Sequence, residues 1–223
     1  MKSMKAFVFD AYGTLFDVFS VMEKCEELFP NKGDQINQTW RQKQLEYSYL
    51  RQMMGKYRPF SEVTRDALRF AVANAGAELN QENEESLLEA YKKLAVYDEV
   101  PGVLKDLKEK GMTLAIFSNG SHDMLDSLVK QSPLADYLDH IISADDIKQY
   151  KPTPASYTLA LDSLELKREE ILFMSSNGWD ISGAKNFGFN TAWINRPEKP
   201  VEQLNLEPDT IYADLTGIKD WMT

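Results

Sequence analysis

Polar side chains follow a short apolar run near the start of the chain. The run FVF at residues 7–9 stops at Asp10, and Gly13 and Thr14 follow within four positions. An apolar run that ends in an aspartate and a glycine turn is typical of a buried strand that presents a carboxylate at its carboxyl end. If Asp10 works on phosphate, a second acid is expected at position 12, but the chain has Tyr12 there.

Two later apolar runs end in similar polar clusters, SNG beginning at Ser118 and SSNGWD beginning at Ser175. Ligands of open α/β sheets bind outside the carboxyl ends of the strands, so these clusters and Asp10 are expected to meet. Lys151, in a loop after another apolar run, is within reach of the same edge. Each residue alone also fits an ordinary structural role: Asp10 a helix cap, Ser118 and Ser175 turn residues, Lys151 a surface charge. All of them at matching strand ends favour a site.

The elements that would position these residues form an alternating pattern. Helical stretches alternate with the apolar runs, which predicts an α/β fold, a Rossmann-like doubly wound parallel sheet. The predicted strands are residues 7–9, 113–119, 139–145, 170–177, 191–195 and 210–214.

The segment from 18 to 97 has a different pattern, with helices and no strand between them. It predicts a helical cap inserted after the first strand, so that residues 1–17 and 98–223 form the core. The predicted cap helices are residues 34–55, 59–76 and 80–97.

One cap helix carries a candidate cation. Apolar residues at helical spacing predict the face of this helix that packs in a hydrophobic core. They are Ile36, Trp40, Tyr47, Leu50 and Met54. Arg41 and Leu45 lie on the opposite side, which leaves Arg41 free to point into a cleft between cap and core. The ordinary alternative, a solvated arginine, is favoured by the pattern alone.

Composition excludes several classes of partner. The net charge of −10 argues against nucleic acid and against anionic membrane surfaces. The single Cys25 cannot form an internal disulfide, which favours a reducing cytoplasm. No apolar stretch reaches the roughly 18 residues that a membrane helix needs, and the first apolar run is too short for a signal peptide.

The motifs DAYGT, SNG, YKP and SSNGWD together resemble those of the haloacid dehalogenase superfamily, and more narrowly of the L-2-haloacid dehalogenases (type II). The resemblance covers essentially the whole chain, including the segments WRQKQLEY and RPF of the cap. DAYGT with SSNGWD is highly specific for the dehalogenase branch. The resemblance implies a metal-free, cofactor-free enzyme that removes halide from short 2-haloalkanoates, usually as a homodimer.

The resemblance also implies a role for individual residues. Asp10 is the expected nucleophile, Arg41 and Asn119 face the halide, and Ser118, with nearby backbone amides, binds the substrate carboxylate. The residues expected to orient and activate the nucleophile and the hydrolytic water are Thr14, Lys151, Tyr157, Ser175, Asn177 and Asp180. The residues expected to shape the substrate pocket are Ala11, Tyr12, Gln42, Leu45, Phe60 and Trp179.

The expected chemistry explains the tyrosine at position 12. Asp10 displaces halide with inversion and forms an ester, which water hydrolyses, so that an L-2-haloacid gives a D-2-hydroxyacid. A halide leaves without a proton, and therefore no general acid is needed at Tyr12. Magnesium prefers hard oxygen ligands, and SSNGWD offers Asp180 as its one ionised group. Which residue takes the proton of the water stays open.

Three alternatives remain at the level of sequence. The first is a magnesium-dependent phosphatase that has lost its second acid, against which Tyr12 and the carboxylate-poor SSNGWD count. The second is a catalytically silent member that binds small acids, against which the joint presence of Asp10, Thr14, Lys151 and Asp180 counts. The third is an enzyme whose physiological substrate is another small acid.

Overall fold

The computed structural model describes residues 4–222 and contains strands and helices in alternation. The strands are β1 (Ala6–Phe9), β2 (Phe16–Asp17), β3 (Ala95–Val96), β4 (Thr113–Ser118), β5 (His140–Ser143), β6 (Ile171–Ser175), β7 (Asn190–Ile194) and β8 (Thr210–Tyr212). The helices are α1 (Phe19–Leu28), α2 (Gly33–Met53), α3 (Phe60–Asn74), α4 (Gln81–Ala90), α5 (Val100–Glu109), α6 (His122–Lys130), α7 (Pro154–Leu164) and α8 (Gly178–Phe187).

Six strands form one parallel sheet in the order β5-β4-β1-β6-β7-β8. This confirms the predicted α/β class and all six predicted strands. The strand predicted over 139–145 is shorter because the Ser143 hydroxyl accepts a hydrogen bond from the Asp145 backbone N–H at 3.1 Å, which caps a 3₁₀ turn. The order places β1 between β4 and β6, so three strand ends with polar clusters are neighbours.

Strand β1 is buried on both faces. Phe7 and Phe9 pack into one hydrophobic cluster, whereas Ala6 and Val8 pack into a second cluster across the sheet. Side chains alternate between the faces of a strand, and helices cover both faces of this sheet. The run therefore lacks polar residues until the chain leaves the sheet at Asp10.

Four helices, α1 to α4, lie between β2 and β3. Helix α1 was not predicted, because no side chain caps its start at Val18 and only Val21 and Cys25 are buried within it. The helix predicted over 80–97 is wrong at its carboxyl end. It stops at Ala90, and Ala95–Val96 form β3, which pairs antiparallel with β2.

The stripe predicted for α2 is correct in its first half and wrong in its second. Ile36 and Trp40 are buried, but Leu50 is 39% exposed and Met54 63% exposed. The buried line continues instead through Gln44 and Ser48. These polar residues are buried because Gln44 donates to Thr64 Oγ1 at 3.0 Å and Ser48 to the Leu45 carbonyl at 2.7 Å. Tyr47, half-buried, packs edge-on against Phe70.

No helix within residues 4–222 is both long enough and apolar enough to cross a membrane.

Candidate active site

The Asp10 carboxylate, at the carboxyl end of the central strand, is held by three side chains. Lys151 Nζ donates to Asp10 Oδ1 at 3.0 Å, and Thr14 Oγ1 and Asn177 Nδ2 each donate to Oδ2 at 3.2 Å. The side chain is almost buried, so water competes little with these donors. Its orientation is therefore fixed from two sides before any ligand binds.

Lys151 is the central cation of the site. Its Nζ donates to Asp10, to Asp180 Oδ2 at 2.6 Å and to the Phe117 carbonyl at 3.1 Å, which uses all three of its N–H groups. Burial acts to lower the pKa of Lys151, but the charges of Asp10 and Asp180 outweigh it and the pKa is raised. The side chain therefore stays an ammonium ion between two carboxylates.

Asp180 is fully buried behind Lys151. The Tyr157 hydroxyl donates to Asp180 Oδ1 at 2.8 Å, so both carboxylate oxygens have a donor. Burial raises the pKa of Asp180, and the charge of Lys151 opposes this rise. Burial likewise raises the pKa of Tyr157 well above its ordinary value, so the phenol stays a hydrogen-bond donor.

The turns after β1 and β6 interlock. Thr14 Oγ1 accepts from the Ser176 backbone N–H at 2.8 Å, and Ser175 Oγ accepts from the Asn177 backbone N–H at 3.1 Å. Gly13 has a φ of +83°, and a Cβ added there would lie 3.0 Å from Ser176 Oγ. This positive φ and close approach explain the glycine of DAYGT.

The end of β4 positions Ser118 and Asn119. Ser118 Oγ accepts from the Gly120 backbone N–H at 3.1 Å, so its own O–H remains available to donate. Asn119 Oδ1 accepts from the Lys151 backbone N–H at 2.8 Å, and Nδ2 donates to the Lys151 carbonyl at 3.4 Å. Asn119 thus anchors the loop that contains Lys151, and the second N–H of its side-chain amide remains available to donate.

A cavity of about 630 Å³ opens above Asp10. Most of the predicted residues line it together, with α2 supplying one wall and the strand ends another. The predicted residues that line the cavity are Asp10, Tyr12, Arg41, Gln42, Leu45, Phe60, Ser118, Asn119, Lys151, Asn177 and Trp179. Asp10 and Arg41 therefore share one cavity although they are distant in sequence.

The other predicted residues do not line the cavity. These are Ala11, Thr14, Tyr157, Ser175 and Asp180. Thr14, Ser175 and Asp180 each bond to a lining residue, and Tyr157 bonds to Asp180. The carbonyl of Ala11 accepts from the backbone N–H groups of Thr14 and Leu15, which shapes the turn after the nucleophile strand.

Several lining residues were missed by sequence reasoning. Gly120, Ser176 and Gly178 lie inside the motifs, so their neighbours in sequence were a usable signal. No local signal marks Gln44, Tyr91 or Trp193. The segment 199–203, which also lines the cavity, follows β7 in a loop that Asn195 closes by donating to the Lys199 carbonyl at 2.8 Å.

The two buried carboxylates of the site share one cation. Within residues 4–222, no group of three or more His, Cys, Asp or Glu side chains is placed to hold a metal ion. Asp10 and Asp180 are both bonded to Lys151. An ammonium group thus occupies the position between them.

Comparison with known proteins places this arrangement in a family. Residues 4–188 match the haloacid dehalogenase-like hydrolases. The chain is 46% identical over 218 residues to the (S)-2-haloacid dehalogenase of Pseudomonas sp. (strain YL), a match that covers 98% of this chain and 94% of that protein.

Solved structures agree with the match in sequence. A crystal structure of an L-2-haloacid dehalogenase has a TM-score of 0.97 at 41% identity, covering 99% of both chains. The L-2-haloacid dehalogenase from Xanthobacter autotrophicus with chloropropionic acid covalently bound has a TM-score of 0.92 at 37% identity, covering 99% of this chain and 100% of that chain. The chain therefore belongs to the haloacid dehalogenase-like hydrolases, in the branch that contains the (S)-2-haloacid dehalogenases.

Proposed function

We propose that the protein is a hydrolytic dehalogenase that converts short L-2-haloalkanoic acids to D-2-hydroxyalkanoic acids. One observation carries this proposal: Asp10, oriented by Lys151, Thr14 and Asn177, faces a cavity that Arg41 also lines. A fixed carboxylate and a cation in the same small cavity suit displacement of an anionic leaving group. The names of the similar proteins support the same substrate class.

In the first step, an oxygen of Asp10 attacks the α-carbon of the substrate. The C–O bond forms as the carbon–halogen bond breaks, the halide leaves with the bonding electron pair, and the carbon inverts. Ser118 binds the substrate carboxylate, which orients the α-carbon for in-line attack. Arg41 and Asn119 donate toward the halide, where negative charge grows.

In the second step, water attacks the carbonyl carbon of the Asp10 ester. Asn177, which lines the cavity, contacts this water, whereas Lys151 and Asp180 act on it indirectly by holding Asp10 in place. The bond between that carbonyl carbon and the substrate oxygen breaks. One proton of the water passes to this oxygen, which releases the hydroxyacid, and the other is lost to solvent as the Asp10 carboxylate is restored. The Xanthobacter autotrophicus structure with chloropropionic acid covalently bound supports an ester intermediate of this kind.

Tyr12 shapes the pocket and transfers no proton in this scheme. Burial, to which the charge of nearby Asp10 adds, raises the pKa of Tyr12 far above its ordinary value. The phenol therefore stays neutral. A halide leaves unprotonated, so the first step needs no acid at this position.

The remaining assignments belong to the same proposal. Residues 18–97 form a cap on a core of residues 1–17 and 98–223, of which 1–3 and 223 lie outside the described residues, because α1 to α4 lie between β2 and β3 and α2 contributes a cavity wall. Trp179, Phe60, Leu45 and Gln42 then shape the space for a short alkyl chain. A homodimer is proposed from the family resemblance. A cytoplasmic location is proposed from the single, free Cys25.

The experiment is halide release from L- and D-2-chloropropionate, each with a chelator present. We expect release from the L enantiomer only, at a rate that the chelator leaves unchanged. No release from either enantiomer, with hydrolysis of phosphate esters appearing on addition of magnesium, would overturn the proposal in favour of a phosphatase.

A further inference from the structure

Tyr91, the residue that follows α4, lines the cavity beside Arg41 and Gln44. Arg41 and Gln44 are three positions apart on α2 and therefore neighbours on its surface. Tyr91 is only 2% exposed. Its ring packs edge-on against Trp40, with ring centroids 4.9 Å apart, and against Tyr12, with centroids 6.0 Å apart. The ring thus links α2 to the turn that follows the nucleophile.

The hydrogen bonds around Tyr91 run in one direction. Gln44 Nε2 donates to Thr64 Oγ1 at 3.0 Å, which assigns the amide oxygen Oε1 to the side of Tyr91. The Tyr91 hydroxyl donates to this Oε1 at 3.3 Å. A phenol that donates to Gln44 presents its oxygen lone pairs elsewhere, and Arg41 can only donate. The Tyr91 oxygen is therefore able to accept a hydrogen bond from Arg41, which lines the same cavity, while its O–H donates to Gln44.

The partners that orient Tyr91 are buried, so they are held rigidly. Gln44 is 4% exposed and Thr64 1% exposed. The Trp40 indole N–H also donates to the Thr64 carbonyl at 2.8 Å, which ties α2 to α3 at the same point. Rigid partners of this kind hold a long, flexible side chain such as arginine in one orientation.

The ionisation of Tyr91 fits the role of a neutral acceptor. Burial raises the pKa of Tyr91, and Arg41 opposes the rise both through its charge and as a hydrogen-bond partner. The phenol stays protonated, so it does not neutralise the charge of Arg41. The full positive charge of the guanidinium remains available to an anion in the cavity.

We propose that Tyr91, oriented by Gln44 and Thr64, is a positioning residue that aims the Arg41 guanidinium at the departing halide. This inference rests on the proposed dehalogenase function. Arg41 contacts the leaving group, whereas Tyr91 acts only through Arg41.

The test is Tyr91→Phe, which keeps the ring and its packing and removes the hydroxyl. Single-turnover halide release is measured with enzyme in excess on L-2-chloropropionate and L-2-bromopropionate. We expect the rate of halide release from L-2-chloropropionate to fall about tenfold. This is less than the roughly 10²–10³-fold loss of rate on removing a direct donor to a developing charge. Bromide is the better leaving group and depends less on stabilisation by Arg41. The rate of release from L-2-bromopropionate should therefore fall less, and the bromide-to-chloride rate ratio should rise.

Tyr47→Phe is the matched control. Tyr47 lies on the same helix α2 but packs against Phe70, outside the cavity residues. We expect its rate ratio to equal that of the wild type. A structural defect in Tyr91→Phe would lower both rates by the same factor, whereas misdirection of Arg41 lowers them unequally.

Gln44→Met provides a second variant that keeps Tyr91 and removes its acceptor. We expect a smaller rise in the rate ratio in the same direction, and this variant decides the question if Tyr91→Phe does not fold. An unchanged ratio in an active variant overturns the inference and leaves the dehalogenase function standing. A wild type that releases no halide removes the proposed function, and the inference with it.

Discussion

Lys151 and Asp180 form an ion pair that is shut off from solvent, with Lys151 Nζ 2.6 Å from Asp180 Oδ2 and exposed fractions of 1% and 0% for the two side chains. The same ammonium reaches Asp10 at 3.0 Å. Two carboxylates thus share one cation, and Asp180 contributes to the orientation of the nucleophile without touching the cavity.

Lys151→Met should abolish halide release and destabilise the protein. Removing the cation leaves two buried carboxylates unpaired, and breaking a buried pair in this way typically costs about 3–5 kcal/mol. Halide release and urea unfolding measure the two effects.

The double variant Lys151→Met/Asp180→Asn separates activity from stability. It removes one of the unpaired charges, so part of the lost stability should return while activity does not. Recovery of activity in the double variant would contradict a role for Lys151 in orienting Asp10.

The ester route makes a prediction about the path of oxygen. A single turnover in heavy-oxygen water, with enzyme in excess over L-2-chloropropionate, should leave the label in Asp10 and give an unlabelled hydroxyacid. The reason is that water attacks the carbonyl carbon of the ester and not the α-carbon. Mass spectrometry of the peptide that contains Asp10 measures the label. Label in the first product, with none in Asp10, would contradict the route.

Local patterns predicted the parts of the site that depend on neighbours in sequence. Asp10 with Gly13, and Ser175 with Asn177, lie in turns at strand ends, and the parallel sheet follows from alternating strands and helices. Such turns leave a signature because glycine and short polar side chains satisfy the backbone there.

Contacts between distant segments left no such signature. Tyr91 lies within a segment that the sequence assigns to one long helix, and its approach to Gln44 depends on how α2 and α4 pack. The buried line through Gln44 and Ser48 was missed because hydrogen bonding, and not hydrophobicity, permits their burial. Segment 199–203 reaches the cavity through the loop that Asn195 closes.

His122 should make stability depend on pH. Burial acts to lower its pKa, but hydrogen bonds with Asp126 and Asp146, at 3.3 and 2.9 Å, outweigh burial, and the pKa is raised. A raised pKa in the folded state means that the stabilisation is complete below the unfolded pKa of about 6.5 and is lost as pH rises through the folded pKa.

Melting temperatures of the wild type and His122→Gln from pH 5 to pH 8.5 measure this effect. The advantage of the wild type should be largest at pH 5 and should shrink as pH rises. Asp146→Asn is the matched control, since it leaves the histidine with the weaker of its two contacts. A difference between wild type and His122→Gln that grows with pH would contradict the assignment.

Gly183 lies on the face of α8 that packs against Tyr157. A Cβ built there would lie 2.5 Å from the Tyr157 hydroxyl oxygen and 2.5 Å from Pro152 Cβ. Gly183→Ala should therefore displace the hydroxyl that donates to Asp180, together with the residue that follows Lys151. Because overpacking of a buried site typically costs about 1–3 kcal/mol, we expect a loss of stability of that order and a marked fall in halide release.

Gly102→Ala is the matched control for Gly183→Ala. Gly102 also lies in a helix, α5, but an added Cβ there meets nothing within 4 Å. Alanine favours helix over glycine by up to about 1 kcal/mol, so Gly102→Ala should be neutral or stabilising with unchanged activity. Equal effects of the two substitutions on urea unfolding and halide release would contradict a specific contact at Tyr157. A loss confined to Gly183→Ala would indicate that the helix-to-helix spacing behind Asp180 holds the Lys151 ammonium in place.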